Sequence, residues 1–147
     1  MDADLSILVF DENAVRAAII EAGLREARRV LAAGAPAIFV DVVAPAAPAL
    51  DTHLQAVELL RDGSHVRDYR IDEWTAMLTR AGFDVGGISR SRLRMDFADW
   101  TARMRTPAAH MAAIRALQQQ ASVETARHYA IEPDGSFTID VALFEVG

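Results

Sequence analysis

Two short apolar runs flank an amphipathic stretch near the start of the chain. Residues 5–10 and 37–43 are almost wholly apolar, a pattern typical of buried parallel strands. Between them, residues 14–32 place apolar side chains at helical spacing, with arginines and glutamates in the intervening positions. Asp11 is suited to cap the start of this helix, and Gly34 to end it. The pattern predicts a β-α-β unit with two parallel strands.

The clearest strand pattern lies at the other end of the chain. Residues 136–146 alternate strictly, with Phe137 and Ile139 on one face and Thr138 and Asp140 on the other. Such alternation favours an antiparallel neighbour. A weaker strand is predicted over 83–90, helices over 49–61 and 71–81, and further helix starts at Asp96, Thr106-Pro107 and Ser122.

The order of these elements predicts one α/β domain over residues 1–147. We expect a three-layer sandwich whose sheet has about four strands. Most of the strands would be parallel and the C-terminal strand antiparallel, with a helical insertion before that last strand.

Composition narrows the class of protein. The chain has 147 residues, 52% of them hydrophobic, and a formal charge of −6, which argues against a nucleic-acid binder. It has no cysteine, which excludes disulfides, thiolate metal sites and thiol nucleophiles. No apolar run is long enough to span a membrane, and the acidic first residues are unlike a signal peptide. We therefore expect a cytoplasmic domain that contacts neither membrane nor nucleic acid.

Several segments, in order, resemble the C-terminal half of a class I S-adenosylmethionine-dependent methyltransferase of the small-molecule type. The resemblance extends over about residues 24–147. The segments that carry it are Leu24-Arg25-Glu26-Ala27-Arg28-Arg29-Val30-Leu31, the apolar run from Ala37 to Pro45, His65-Val66-Arg67-Asp68-Tyr69, Glu73-Trp74, Ala81-Gly82-Phe83, and the final strand.

That family binds its cofactor through a glycine-rich turn after the first strand and an acidic residue after the second. This chain has no such turn, and Gly34 and the Gly86-Gly87 pair stand in other contexts. We therefore expect a truncated or recombined methyltransferase-like domain, without independent catalysis and without a bound cofactor. The alternative is a small-molecule methyltransferase whose S-adenosylmethionine site is supplied by a dimer or a partner chain.

Residues 4–27 resemble the start of a response-regulator receiver domain. The resemblance implies that Asp11 and Glu12 help to hold Mg²⁺, and that Asp41, four residues before Pro45, accepts phosphate. The two resemblances overlap at a shared Leu-Arg-Glu-Ala, which suggests a chimera of residues 1–27 and 28–147. A receiver-like phosphoacceptor is thus a further alternative. Asp11, Glu12 and Asp41 are weak metal candidates, because the chain lacks the lysine that completes such a site and the acids equally suit helix capping.

A second set of side chains falls in the region that covers the substrate end of the cleft in the methyltransferase family. Its arginines suit an acidic substrate, because guanidinium groups match carboxylates. The favoured alternative is surface ion pairing with Asp68, Asp72, Asp96 and Asp99, with both tryptophans in the core. No catalytic or cofactor-binding residue is assigned. The candidates for the substrate cleft are His65, Arg67, Tyr69, Trp74, Arg92, Arg94 and Trp100.

The resemblance also predicts an assembly. Without the first half of the family fold, the strand at residues 5–10 would have an unpaired apolar edge, which is a template for pairing. Closed two-fold assemblies are the commonest way to cover such a surface. We therefore expect a homodimer formed through the exposed sheet edge or through the alanine-rich helices.

Overall fold

The computed structural model describes the backbone of residues 12–147 and the side chains of residues 18–147. Among these residues, no helix is both long and apolar enough to cross a membrane. The helices are α1 (Glu12–Val30), α2 (Pro48–Arg61), α3 (Ile71–Arg80), α4 (Phe97–Arg103), α5 (Ala108–Gln119) and α6 (Val123–His128), and the strands are β1 (Ala37–Val42), β2 (Val85–Met95) and β3 (Phe137–Val146).

The described sheet has three strands in the order β1-β3-β2, and β3 is antiparallel to both neighbours. The predicted antiparallel C-terminal strand is thus present. The predicted mostly parallel sheet of about four strands is not seen in the described part of the chain. The physical reason is that β3 lies between β1 and β2, so these two strands share a direction but exchange no hydrogen bonds. The predicted strand at residues 5–10 lies outside the described residues.

Local signals placed several element boundaries correctly. The Asp96 carboxylate caps α4 by accepting the Asp99 N–H at 3.1 Å, and the Ser122 hydroxyl accepts the Thr125 N–H at 3.1 Å at the start of α6. By contrast, β2 runs five residues past the predicted end at residue 90. Its second half is rich in arginine, so long-range pairing with β3, and not an apolar pattern, extends the strand.

One face of the sheet is covered by α1 and α3. Its core contains Leu24 of α1, Trp74 and Leu78 of α3, and Phe144 of β3. Phe39 of β1 packs against this cluster from the same face. The spacing of Trp74 and Leu78 turns one stripe of α3 toward the sheet, because residues four apart lie on one side of a helix.

The opposite face is covered by α2 and by the helices that lie between β2 and β3. Leu54 of α2, Trp100 of α4, Ile114 of α5 and Ile139 of β3 are all buried in this second core. The edge of the Trp100 ring approaches Phe137, with ring centroids 4.9 Å apart. The predicted helical insertion before the last strand therefore supplies much of one core.

This second face is covered only in part. Val42 and Val141 pack against the second core, whereas Ile38 and Val40, which point to the same side of β1, are 63% and 60% exposed. Apolar side chains next to each other on a sheet are usually covered, because burying them is favourable by about 25 cal/mol per Å². The uncovered part lies at the end of the sheet where β1 begins.

Candidate functional site

Two loops meet at the carboxyl end of β1. The Ala44 N–H donates to the Tyr69 carbonyl at 3.1 Å, and the Val43 N–H donates to the Asp140 carbonyl at 2.9 Å. These bonds join the loop after β1 to the loop before α3 and to the centre of β3. Ligands of open α/β sheets bind at such carboxyl ends, so polar side chains gathered here are the candidates for function.

A network of polar side chains connects α2 to the loop before α3. The Gln55 amide donates to Asp51 Oδ1 at 2.8 Å and to the Asp68 carbonyl at 2.9 Å. Its carbonyl oxygen accepts the Asp68 N–H at 3.0 Å and lies 3.1 Å from His65 Nε2. Arg67 donates to Asp51 Oδ2 at 2.7 Å. Gln55 therefore satisfies both of its polar atoms inside this network and fixes the loop.

Asp68 is the least satisfied member of this network. Its Oδ2 atom is buried and has no hydrogen-bond partner, and His65 Nε2 is 3.9 Å away. Burial, reinforced by the negative charges of Glu58 and Asp41, raises the pKa of the Asp68 carboxyl to about 8. Asp68 is therefore mostly protonated at neutral pH, and it can hold a proton where a typical aspartate cannot.

A second polar group lies where β2, β3 and α6 meet. Arg92 donates to Asp140 Oδ1 at 3.1 Å and to the carbonyl of His128, and His128 Nε2 lies 2.9 Å from Asp140 Oδ2. The imidazole contacts the ring of Tyr129, whose hydroxyl donates to the buried Leu50 carbonyl at 2.8 Å. Burial and the charge of Asp140 raise the pKa of Tyr129 above its usual range. The Asp140 carboxylate thus orients both the Arg92 guanidinium and the His128 imidazole.

Sequence reasoning missed His128 and Asp140. The two residues are twelve positions apart and match no motif, so only the packing of α6 against β3 brings them together. The one available signal was a charged Asp140 within a strongly apolar strand. A charge at such a position needs a partner, because an unpaired charge in a half-buried site is unfavourable.

The candidates for the substrate cleft do not form one group. His65 and Arg67 lie in the polar network, whereas Arg92 and Arg94 lie on β2 with partners of their own. Arg94 forms a two-point ion pair with Glu132 at 2.6 and 2.7 Å. The partners of Arg92 and Arg94 are therefore not the aspartates that the sequence suggests. The role of these candidates in binding substrate stays a prediction.

The aromatic candidates are parts of the two cores. Tyr69 and Trp74 are buried with their ring centroids 6.5 Å apart, and Trp74 also contacts Phe144. Trp100 is fully buried, and the Arg61 guanidinium lies 4.8 Å from its ring centroid. The expectation that both tryptophans pack as core therefore agrees with the structure.

Two surface cavities border these groups. The one nearer the end of β1 has a volume of about 260 Å³ and is lined by Ala44, Ala46, Arg70, Ile71, Asp72 and Arg90. A larger one of about 650 Å³ lies along the end of β2 and α4, between Leu93 and Arg103. The smaller cavity lies beside the loop that the Ala44–Tyr69 hydrogen bond holds, and therefore belongs to the same end of the sheet as the polar network.

Among the described side chains, no group of three or more histidine and acidic residues is arranged to hold a metal ion, and the candidate site of Asp11, Glu12 and Asp41 stays a prediction. Asp41 is exposed, and its carboxylate accepts the N–H of Val42 at 2.8 Å. Asp11 and the side chain of Glu12 lie outside the described part of the chain.

The described glycines do not fit a cofactor-binding turn. A Cβ on Gly87 would lie 2.7 Å from the Glu145 carboxylate, so this glycine leaves room for the Glu145 side chain. Gly34 and Gly82 have φ of 72° and 93° and follow the ends of α1 and α3, and the sequence predicts such a helix end at Gly34. None of these three glycines lies at the start of a helix, so they do not form a glycine-rich turn of the kind that binds a cofactor.

Comparison with solved structures decides the fold. The chain superimposes on the BH2331 protein of Bacillus halodurans, which carries a provisional methyltransferase assignment, with a TM-score of 0.78 and 27% identity over 86% of this chain. It superimposes equally on the YcgJ protein of Bacillus subtilis, with a TM-score of 0.77 and 29% identity. The chain has a methyltransferase-like fold.

The curated sequence relatives include one protein that is named as a methyltransferase. The methyltransferase-like chain is 42% identical over 126 residues to the uncharacterized protein YafE of Escherichia coli, and 34% identical over 89 residues to the uncharacterized methyltransferase YcgJ of Bacillus subtilis. No family model matches. The matches cover 86% and 60% of this chain, but only 61% of YafE and 35% of YcgJ. The chain therefore spans about three-fifths or less of the relatives it matches, and covers 61% of BH2331 and 56% of YcgJ as solved.

Proposed function

We propose that this chain forms the substrate-side part of an S-adenosylmethionine-dependent methyltransferase of small molecules. Methyl transfer then requires a further polypeptide segment that carries the glycine-rich turn, and the chain alone has no independent catalysis. The observation that carries this proposal is the methyltransferase-like fold, found in a chain whose sequence contains no glycine-rich cofactor turn.

The uncovered part of the sheet supports a role for such a segment. Ile38 and Val40 form an exposed apolar strip beside the fully packed second core. The relatives are longer than the matched region, so they contain sequence that has no counterpart here. We propose that a segment of this kind covers the strip. A homodimer through the same surface is the alternative, and it stays a prediction.

No observation among the described residues favours the receiver-like phosphoacceptor. Asp41 is exposed and belongs to no group of three or more potential metal ligands in the described part of the chain. The chimera of residues 1–27 and 28–147 also stays a prediction, because most of its first segment lies outside the described side chains.

The test is calorimetric titration with S-adenosylhomocysteine. The chain alone is expected to give no heat of binding. The chain co-expressed with the part of YafE that lies outside the matched region is expected to bind with micromolar affinity. Tight binding by the chain alone would show that the cofactor site is complete without a further segment. No binding by the co-expressed pair, once their association is confirmed by sedimentation, would overturn the proposal.

A matched pair of variants tests the surface. Ile38→Asp with Val40→Asp places charges on the apolar strip and is expected to abolish binding by the co-expressed pair. Val123→Asp changes a residue on α6 that is 76% exposed and distant from the strip, and it is expected to leave binding unchanged. Equal losses of binding from the double variant and from Val123→Asp would contradict the proposal that the strip is the contact surface.

A further inference from the structure

The cavity at the end of β1 is lined by three apolar and three charged residues. Ala44 and Ala46 come from the loop after β1, and Ile71 from the first turn of α3. Its volume of about 260 Å³ is slightly below the range of roughly 300–1,000 Å³ usual for ligand pockets. It therefore has room for a small molecule or for one end of a larger one.

The charges around this cavity do not balance. Arg70 contacts Asp72 at 2.9 and 3.0 Å and lies 3.7 Å from Glu73, so its charge is neutralised by its neighbours. Arg90 lines the same cavity, and no carboxylate of the described residues lies within ion-pair distance of its guanidinium. Arg92 and Arg94, on the same side of β2, are both paired. Arg90 is thus the unpaired cation of this strand.

We propose that this cavity binds a small organic monoanion, with its apolar body on the alanines and Ile71 and its carboxylate on Arg90. This inference rests on the proposed function, since it names the substrate class for the same end of the sheet. One free guanidinium suits a single negative charge, because a guanidinium can donate two parallel hydrogen bonds to one carboxylate. A phosphate dianion fits less well, because Arg90 supplies one positive charge and the Arg70–Asp72 pair adds no net charge.

Benzoate is a suitable probe, and benzamide is its uncharged match in size and shape. Binding of each is measured by amide chemical shifts of the isotope-labelled chain, without any cofactor. Benzoate is expected to shift the amide signals of Ala44, Ala46 and Ile71. Benzamide is expected to bind at least about tenfold more weakly, because it cannot form a charge-assisted pair with Arg90.

Variants separate this pairing from a general effect of charge. Arg90→Gln is expected to weaken the binding of benzoate by at least about tenfold and to leave the binding of benzamide unchanged. Arg103→Gln removes an arginine that lines the other cavity, and is expected to change neither. Arg90 is exposed, so both variants should unfold at the wild-type temperature, which a thermal melt checks.

Three outcomes would overturn the inference. These are no shift at millimolar benzoate, equal affinity for benzoate and benzamide, or equal losses from the two arginine variants. Because the experiment contains no cofactor, such a failure would leave the proposed methyltransferase role untouched. Conversely, failure of the co-expressed pair to bind S-adenosylhomocysteine would not affect a measured benzoate site.

Discussion

The two faces of the sheet differ in how fully this chain covers them. On one face, α1 and α3 cover Phe39, Phe144 and Val146, and the core reaches the end of the sheet where β1 begins. On the other face, α2 and the inserted helices cover Ile139 but leave Ile38 and Val40 exposed. The comparison separates the part of the fold that is complete from the part that another segment is proposed to cover.

The two faces also differ in how they are built. The first face is packed by helices that neighbour the strands in sequence, as in an ordinary α/β unit. The second face depends on α4, α5 and α6, which lie between β2 and β3. Polar groups border the second core at Tyr129, whose hydroxyl donates to the Leu50 carbonyl and whose ring contacts His128, the partner of Asp140. The exposed surface therefore lies on the second face, whereas the cavity at the end of β1 includes Ile71, which packs against the first core.

The largest expected loss of stability comes from removing a large side chain from the second core. Trp100→Ala should lower the free energy of unfolding by about 3–5 kcal/mol, because a large buried ring leaves a cavity. Ile38→Ala, at the exposed end of the same face, should change it by no more than about 0.5 kcal/mol. Urea denaturation measures both. Similar losses would mean that Ile38 is covered in solution, as in a homodimer.

The buried Asp68 should give the next largest effect, and it depends on pH. Its pKa rises from 3.8 to about 8 on folding, so the folded chain holds the proton more tightly. The contribution of Asp68 to the free energy of unfolding is therefore fully present below about pH 4 and is lost as the pH rises to 8. Asp68→Asn removes this loss and should stabilise the chain at pH 9 by on the order of 2–5 kcal/mol.

The control for this pH effect is Asp99→Asn, which changes an exposed carboxylate on α4. Urea denaturation at pH 5 and pH 9 compares both variants with the wild type. The gain in stability from Asp68→Asn should be smaller at pH 5 than at pH 9, because the loss in the wild type begins near the unfolded-state pKa of 3.8 and accumulates as the pH rises. A pH profile that Asp68→Asn leaves unchanged would assign the proton to another group.

A smaller loss is expected where the second core meets the polar groups. Tyr129→Phe removes the hydrogen bond to the buried Leu50 carbonyl and should destabilise the chain by about 1–2 kcal/mol. Trp74→Phe, on the first face, keeps an aromatic ring and removes an indole N–H that has no hydrogen-bond partner, so it breaks no hydrogen bond and serves as the comparison. Thermal unfolding measures both. An unchanged melting temperature for Tyr129→Phe would show that water replaces the lost bond.

The smallest effect on stability should come from the exposed strip itself. Ile38→Asp with Val40→Asp is expected to change the free energy of unfolding of the isolated chain by no more than about 0.5–1 kcal/mol. The same variant should abolish binding of S-adenosylhomocysteine by the co-expressed pair. Loss of folding instead of loss of binding would show that the strip is part of the chain's own core.

Part of the candidate site was predictable and part was not. His65 and Arg67 belong to a stretch that resembles the methyltransferase family, and both lie in the polar network. Their partners Asp51 and Gln55 belong to α2, where they show only helical spacing. Likewise, the sequence marks Arg92 as a cation but not its pairing with Asp140, because a partner 48 residues away depends on strand register.

Local physical chemistry determined the elements of this protein. Capping residues such as Asp96 and Ser122, the apolar stripe of α3 and the alternation of β3 act over a few residues, so the sequence alone placed these elements closely. The tertiary structure decided their neighbours. β3 lies between β1 and β2, His128 meets Asp140, and Ile38 remains uncovered while Phe39 is packed. These outcomes depend on competition among distant surfaces for burial and hydrogen bonds, which no short stretch of sequence contains.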